Sequence, residues 1–197
     1  MRLAATALLL AALTPASFAQ APKPAPAHES AKPPAPQPPK AATAAAPAGA
    51  QPTLLGQYAD WGAYTASPGG KKVCFALGKP RAAQTEPPGR KRDQAYLFVS
   101  TRPSENVKNE VSIVIGYPFK ASSDATAEIG STKFAMYTQN DGAWIKNVAE
   151  EARMIEAMRK GAELTVKGTS GRGTQSIDQY SLKGLGQALD RIAQECK

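Results

Sequence analysis

"EVSIVIGYPF" (residues 110–119) alternates too regularly to be a helix. Val111, Ile113, Ile115 and Tyr117 fall on one side, with Ser112 and Gly116 on the other. A period of two is what a half-buried β-strand requires. The same grammar repeats on both sides of this stretch. Upstream, "QYADWGAYTA" (57–66) passes through Ser67-Pro68-Gly69-Gly70, a turn signal, into "KKVCFALG" (71–78), and "QAYLFVST" (94–101) follows a polar, proline-rich loop over 79–93. Downstream, "TAEIG" (126–130) and "TKFAMYT" (132–138) read as a pair around Gly130-Ser131, and "AELTVKGTS" (162–170) and "QSIDQYSL" (175–182) flank the hairpin signal "GRGT". Seven or more short strands at this spacing predict an all-β, antiparallel sandwich rather than a parallel sheet.

Two segments carry helical periodicity instead. In "NVAEEARMIEAMRKG" (147–161), Asn147 suits the N-cap and Glu150 completes a capping-box pattern, while Gly161 suits a left-handed C-terminal position. Acidic residues lead and Arg153, Arg159 and Lys160 trail, as the helix dipole favours. Val148, Ala152, Ile155 and Met158 form its expected apolar stripe, suited to packing on a sheet. In the C-terminal "LKGLGQALDRIAQECK", Leu185, Leu189, Ile192 and Cys196 share one face.

That face holds one of the chain's two cysteines; the other, Cys74, lies in "KKVCFALG" beside Ala76 and Gly78 on a face of small residues. Small residues let a helix approach closely, so a Cys74–Cys196 bridge would clamp the last helix to the sheet. A free thiol or an intermolecular bridge is the alternative. Closing so long a loop stabilises by about 4–5 kcal/mol in the chain-entropy argument, less any strain.

Disulfides suit an oxidising compartment, and the N-terminus points to one. Arg2 precedes an apolar run from Leu3 to Leu13, and Ser17 and Ala19 supply small residues before a cleavage site at Gln20. This is a signal-peptide pattern, and the run is shorter than the roughly 20 residues that span a bilayer. Residues 20–53 then hold ten prolines in 34 positions, interleaved with alanine. Such a tract has too little to bury to offset its ordering entropy and is expected to be a disordered, semi-extended linker. The expected organisation is a leader over 1–19, a linker over 20–53 and one domain over 54–197.

Within that domain there are 20 basic and 15 acidic residues, a net +5. "GRKR" (89–92) is the densest cluster and reads as a solvated turn. Nothing resembles a nucleic-acid stripe with interleaved aromatics, so no nucleic-acid partner is expected. His28, the only histidine, lies in the linker, so histidine-based triads and metal sites are unavailable to the domain. "KGTSGRGT" (167–174) lacks the Gly-Lys-Ser/Thr of a phosphate loop. Asp60, Asp93, Asp141 and Asp178 could meet in space as paired carboxylates. The tryptophans of "DWGAY" (60–64) and "DGAWIK" (141–146) suit the core, with a carbohydrate-stacking platform as the alternative. No catalytic residue, cofactor or metal is expected.

From about residue 56 to the C-terminus, the stretches "GQYADWGAYTA…KKVCFALGKP", "EVSIVIGYPFK", "FAMYTQNDGAWIKNVAEEARMIEAMRKGAELTVKGTSGRGT" and "YSLKGLGQALDRIAQEC" resemble the invasion-associated locus B family of alphaproteobacteria. The resemblance implies an immunoglobulin-like β-sandwich, to which the two short helices read above, one of them C-terminal, would be added. It also implies an exported envelope protein in the periplasm, at the outer membrane or outside the cell. The export signal, the sandwich and the absence of catalytic constellations together lead to the expectation that it binds an envelope or host-cell protein or glycan through its loops without catalysis. A carboxylate-based cell-wall glycan hydrolase and a purely structural or stress-protective periplasmic protein are the competing readings.

Overall fold

The structure is a computed structural model that describes residues 51–197. The expected leader, and the expected linker up to residue 50, lie outside the described residues. Eleven strands form one continuous antiparallel sheet. They are β1 (Thr53–Tyr58), β2 (Trp61–Ala66), β3 (Val73–Gly78), β4 (Ala82–Glu86), β5 (Tyr96–Arg102), β6 (Val107–Val114), β7 (Ala125–Ile129), β8 (Thr132–Gln139), β9 (Gly142–Ile145), β10 (Glu163–Thr169) and β11 (Gln175–Ser181). Two helices complete the fold, α1 (Glu151–Lys160) and the C-terminal α2 (Leu185–Glu195).

Strand order across the sheet is β1-β2-β3-β5-β6-β9-β8-β7-β10-β11-β4. That order forces the sheet to curl. β3 and β4 stand eight inter-strand steps apart, about 38 Å in a flat sheet. The link between them, residues 79–81, spans at most about 14 Å. The β4 edge must therefore return toward β3. The inner face so enclosed carries the alternating apolar positions: Leu97 and Val99 of β5, Val111 and Ile113 of β6, Phe134 and Met136 of β8, and Leu164 and Val166 of β10 are all fully buried.

The stretch over 57–66 is split at residues 59–60 into the end of β1 and the whole of β2, and β1 begins at Thr53, the last residue of the expected linker. Two further strands lie where none was expected. β4 falls inside the supposed 79–93 loop, because "AAQTE" is an edge strand that bonds only β11 and has no apolar alternation to announce it. β9 is four residues long, with Ala143 and Ile145 facing inward. The strand expected over 110–119 is displaced instead, running from Val107 and ending at Val114. Gly116 breaks it at φ +83°, a left-handed value that side chains rarely adopt, and a Cβ there would overlap the Asp93 carbonyl oxygen. Gly116→Ala is therefore expected to cost about 2–3 kcal/mol, read as a lowered urea midpoint at unchanged slope.

Helix α1 departs from expectation in four ways. The Asn147 side chain accepts the Ala149 N–H at 3.2 Å, but it caps a single 3-10 turn that precedes the helix. Glu150 pairs with Arg153 at 2.8 Å and closes no capping box. Gly161 is extended (φ −80°, ψ 159°), not left-handed; its small size is used for packing, since a Cβ would lie 2.7 Å from Ile129 Cγ2. The buried stripe is Met154, Ile155 and Met158, while Val148 is 74% exposed. At α2 the expected face is the observed one: Leu185, Leu189, Ile192 and Cys196 are all buried.

The outer face of the sheet is aromatic. Tyr64 stacks on Phe75 with ring centroids 5.3 Å apart, Phe75 meets Phe98 at 5.9 Å, and Tyr137 stacks on Trp144 at 5.6 Å. Phe98 and Trp144 both stand opposite Ser112, on β6 between them, so the row crosses several strands.

Candidate ligand cleft

The "GRKR" stretch does not behave as one solvated turn. Arg92 turns inward, and its guanidinium Nη1 donates to Asp178 Oδ2 at 2.8 Å and to the Ile115 carbonyl at 2.7 Å. Its Nη2 donates to Asp178 Oδ1, completing a two-pronged pair. The side chains are 9% and 0% exposed, respectively. Asp178 is buried because it occupies an inward position of β11, between Ser176 and Tyr180 and opposite Val166 of β10. Burial pushes its carboxyl up from the ordinary range, and the Arg92 bonds pull against that shift. Arg92 also lies over the Tyr117 ring, 5.9 Å from the centroid, and the Tyr117 hydroxyl shares a 2.6 Å hydrogen bond with Ser176 Oγ. Beside them the Tyr180 hydroxyl is buried without a partner, and burial and the nearby Asp178 push its ionisation far up, so the phenol stays neutral.

Above this cluster opens a cleft of about 870 Å³. Four connections build it at one end of the sheet. The β4–β5 link brings Arg90, Lys91 and Asp93; the β6–β7 link brings Gly116 to Pro118. The β8–β9 turn contributes Asn140 and Asp141, and the β10–β11 turn contributes Ser170 to Arg172. Main-chain bonds fix their relative placement. Asp93 N–H donates to Gly116 O at 3.0 Å and Ile115 N–H donates to Asp141 O at 2.9 Å, so these two acids flank one short stretch. Gly171 N–H donates to Pro118 O at 3.0 Å, tying the β10–β11 turn to the same wall. Arg90, Lys91 and Arg172 form no ion pair with any described residue.

Of the four acids weighed as partners, Asp93 and Asp141 thus share the cleft. Asp178 lies beneath it, locked to Arg92, and Asp60 sits at the β1–β2 turn, its N–H donating to Lys183 O at 3.3 Å. The tryptophans part company: Trp61 is fully buried and its indole N–H donates to Ser181 O at 2.9 Å, whereas Trp144 lies half-buried in the outer aromatic row. Cys74 and Cys196 are joined, with Cα atoms 6.0 Å apart, and neither lines the cleft. Next to the bridge, Lys72 Nζ reaches both the Glu195 carboxylate at 2.8 Å and its carbonyl at 2.6 Å. Among the described residues no group of three or more His, Cys, Asp or Glu side chains could hold a metal ion, and no helix is long and apolar enough to cross a membrane.

The model of the invasion associated locus B (IalB) protein family matches residues 61–193. The chain belongs to that family. The matched span runs from the first residue of β2 to within three residues of Cys196, so every cleft-lining loop of this IalB domain lies inside it, whereas β1 and one half of the disulfide lie outside. Neither the curated proteins nor the solved structures hold a match to the chain. The cleft was not foreseeable as a site, because its lining comes from four separated loops and its charged residues from three of them. One signal did exist: an aspartate at an inward position of "QSIDQYSL" needs a buried cation, and Arg92 supplies it.

Proposed function

We propose that this IalB-family protein is an exported, non-enzymatic envelope protein that binds its partner in the loop cleft. The observation that carries this reading is the convergence of four loops on one open cavity whose rim cations have no internal partners. A concave site on which a few polar and charged groups converge is the usual place for a ligand. The signal-peptide pattern and the cysteine bridge support an oxidising compartment outside the inner membrane. The immunoglobulin-like sandwich belongs to the same proposal. The short β3–β4 link supports it, since a sheet doubled back on itself brings two layers face to face.

Backbone amide shifts of the isotope-labelled protein, titrated with soluble envelope fractions, test the site. The expected perturbations gather in residues 90–93, 116–117, 140–141 and 170–174. Perturbations confined to the outer aromatic face, or none at all, would overturn the cleft as the binding site.

One observation favours a second reading. Asp93 and Asp141 enter the same cleft, and glycosidases work with two carboxyl groups about 5–9.5 Å apart. Release of soluble sugar from cell-wall glycan, lost in Asp93→Asn and Asp141→Asn, would establish a hydrolase. Undiminished binding without release would leave the non-enzymatic reading in place.

A further inference from the structure

We infer that the cleft binds an acidic saccharide, its anionic group held among Arg90, Lys91 and Arg172 and its hydroxyls turned to Asp93 and Asp141. The inference rests on the cleft being the binding site. It starts from charge. The Arg92–Asp178 pair in the floor is internally neutral. Arg90, Lys91 and Arg172 then stand against two carboxylates, an excess of one positive charge on a domain that is itself net +5. An anion is therefore drawn to the cleft and held there by charge-assisted hydrogen bonds.

The two carboxylates narrow the ligand class. A bare anion would leave Asp93 and Asp141 without partners, and a carboxylate is only an acceptor, so these residues favour a ligand that also presents donors. Sugar hydroxyls are such donors, and those at separate ring positions can reach acceptors set on either side of one stretch. The backbone arrangement suits this, with Asp93 and Asp141 bonded on either side of the Ile115–Gly116 stretch. The cations come from two connections: Arg90 and Lys91 from the β4–β5 link, which also carries Asp93, and Arg172 from the β10–β11 turn. Ser170 and Asn140 add neutral groups that can donate and accept along the walls. A cavity of about 870 Å³ has room for more than one sugar ring.

Calorimetric titration of the whole protein at low salt with four probes tests this. The probes are a galacturonic acid trimer, glucose 6-phosphate, maltotriose and inorganic phosphate. At least one acidic saccharide is expected to bind about tenfold or more tighter than maltotriose and than inorganic phosphate. Which of the two does so distinguishes a carboxylated from a phosphorylated source. Its affinity should fall as salt rises, and should drop about tenfold in Lys91→Gln/Arg172→Gln. Asp141→Asn should weaken the acidic saccharide without weakening inorganic phosphate. Equal binding of acidic and neutral sugars, phosphate binding as tight as the saccharide, unchanged affinity in the variants, or no binding at millimolar concentration would each overturn the proposal. Amide shifts in the cleft with envelope fractions, alongside failure of all four probes, would reject the saccharide and leave the cleft standing. Shifts elsewhere would reject both.

Discussion

Cys74→Ser and Cys196→Ser are each expected to destabilise the protein by about 2–5 kcal/mol, with the double variant no worse than either single one. The bridge spans 122 residues of sequence, nearly the whole domain, so cutting it returns a large loop's freedom to the unfolded chain. It also releases the end of α2 from β3. What remains there is the burial of Leu185, Leu189 and Ile192, together with the Lys72–Glu195 link, whose side chains are 45% and 27% exposed. Exposed pairs contribute about 0–1 kcal/mol, so that link cannot replace the covalent one. Denaturant midpoints of the four proteins give the measurement. Near-additive losses would mean the cysteines act through separate packing, and two free thiols on unfolded, unreduced protein would remove the bridge altogether.

Asp178→Ala is expected to cost about 3–5 kcal/mol, since it strands the Arg92 guanidinium in the interior with only the Ile115 carbonyl as acceptor. The pair as a whole is worth far less than that. Removing both charges in Arg92→Met/Asp178→Leu should recover most of the loss, because the desolvation penalty of two buried ions disappears with them. The comparison separates a structural pair from a ligand-binding one. If Arg92 serves the cleft only as floor, the double variant keeps the amide shifts caused by envelope fractions; a guanidinium needed for binding would make them vanish in a folded protein. A loss under about 1 kcal/mol for Asp178→Ala would show that water reaches the pair and that its burial is not maintained in solution.

Several elements were legible because their signals are local. The alternation of Val111 and Ile113 places β6, and both residues are fully buried. The hairpins around Gly130 and around residues 171–174 close as Ile129 opposite Thr132 and Thr169 opposite Gln175. The spacing of Leu185, Leu189, Ile192 and Cys196 marks the buried face of α2. Where the reading failed, the missing information was not local. "AAQTE" has nothing in it that alternates; it is a strand because β11 offers it an edge. Gly161 looks like a helix terminator in sequence, yet the constraint on it comes from Ile129, on a strand far upstream.

By itself, then, the sequence determined the β-rich class, the two helices and the face on which Cys196 would meet a partner, since periods of two and of 3.6 are properties of neighbouring residues. Only the tertiary structure decided what becomes of the charges. Arg92 and Asp178 are 86 residues apart, and neither neighbourhood says that one basic residue of "GRKR" will be drawn into the core while Arg90 and Lys91 stay outside. A buried carboxylate must find its cation wherever the fold brings one, and the loops carrying the remaining charges converge only when the sheet curls.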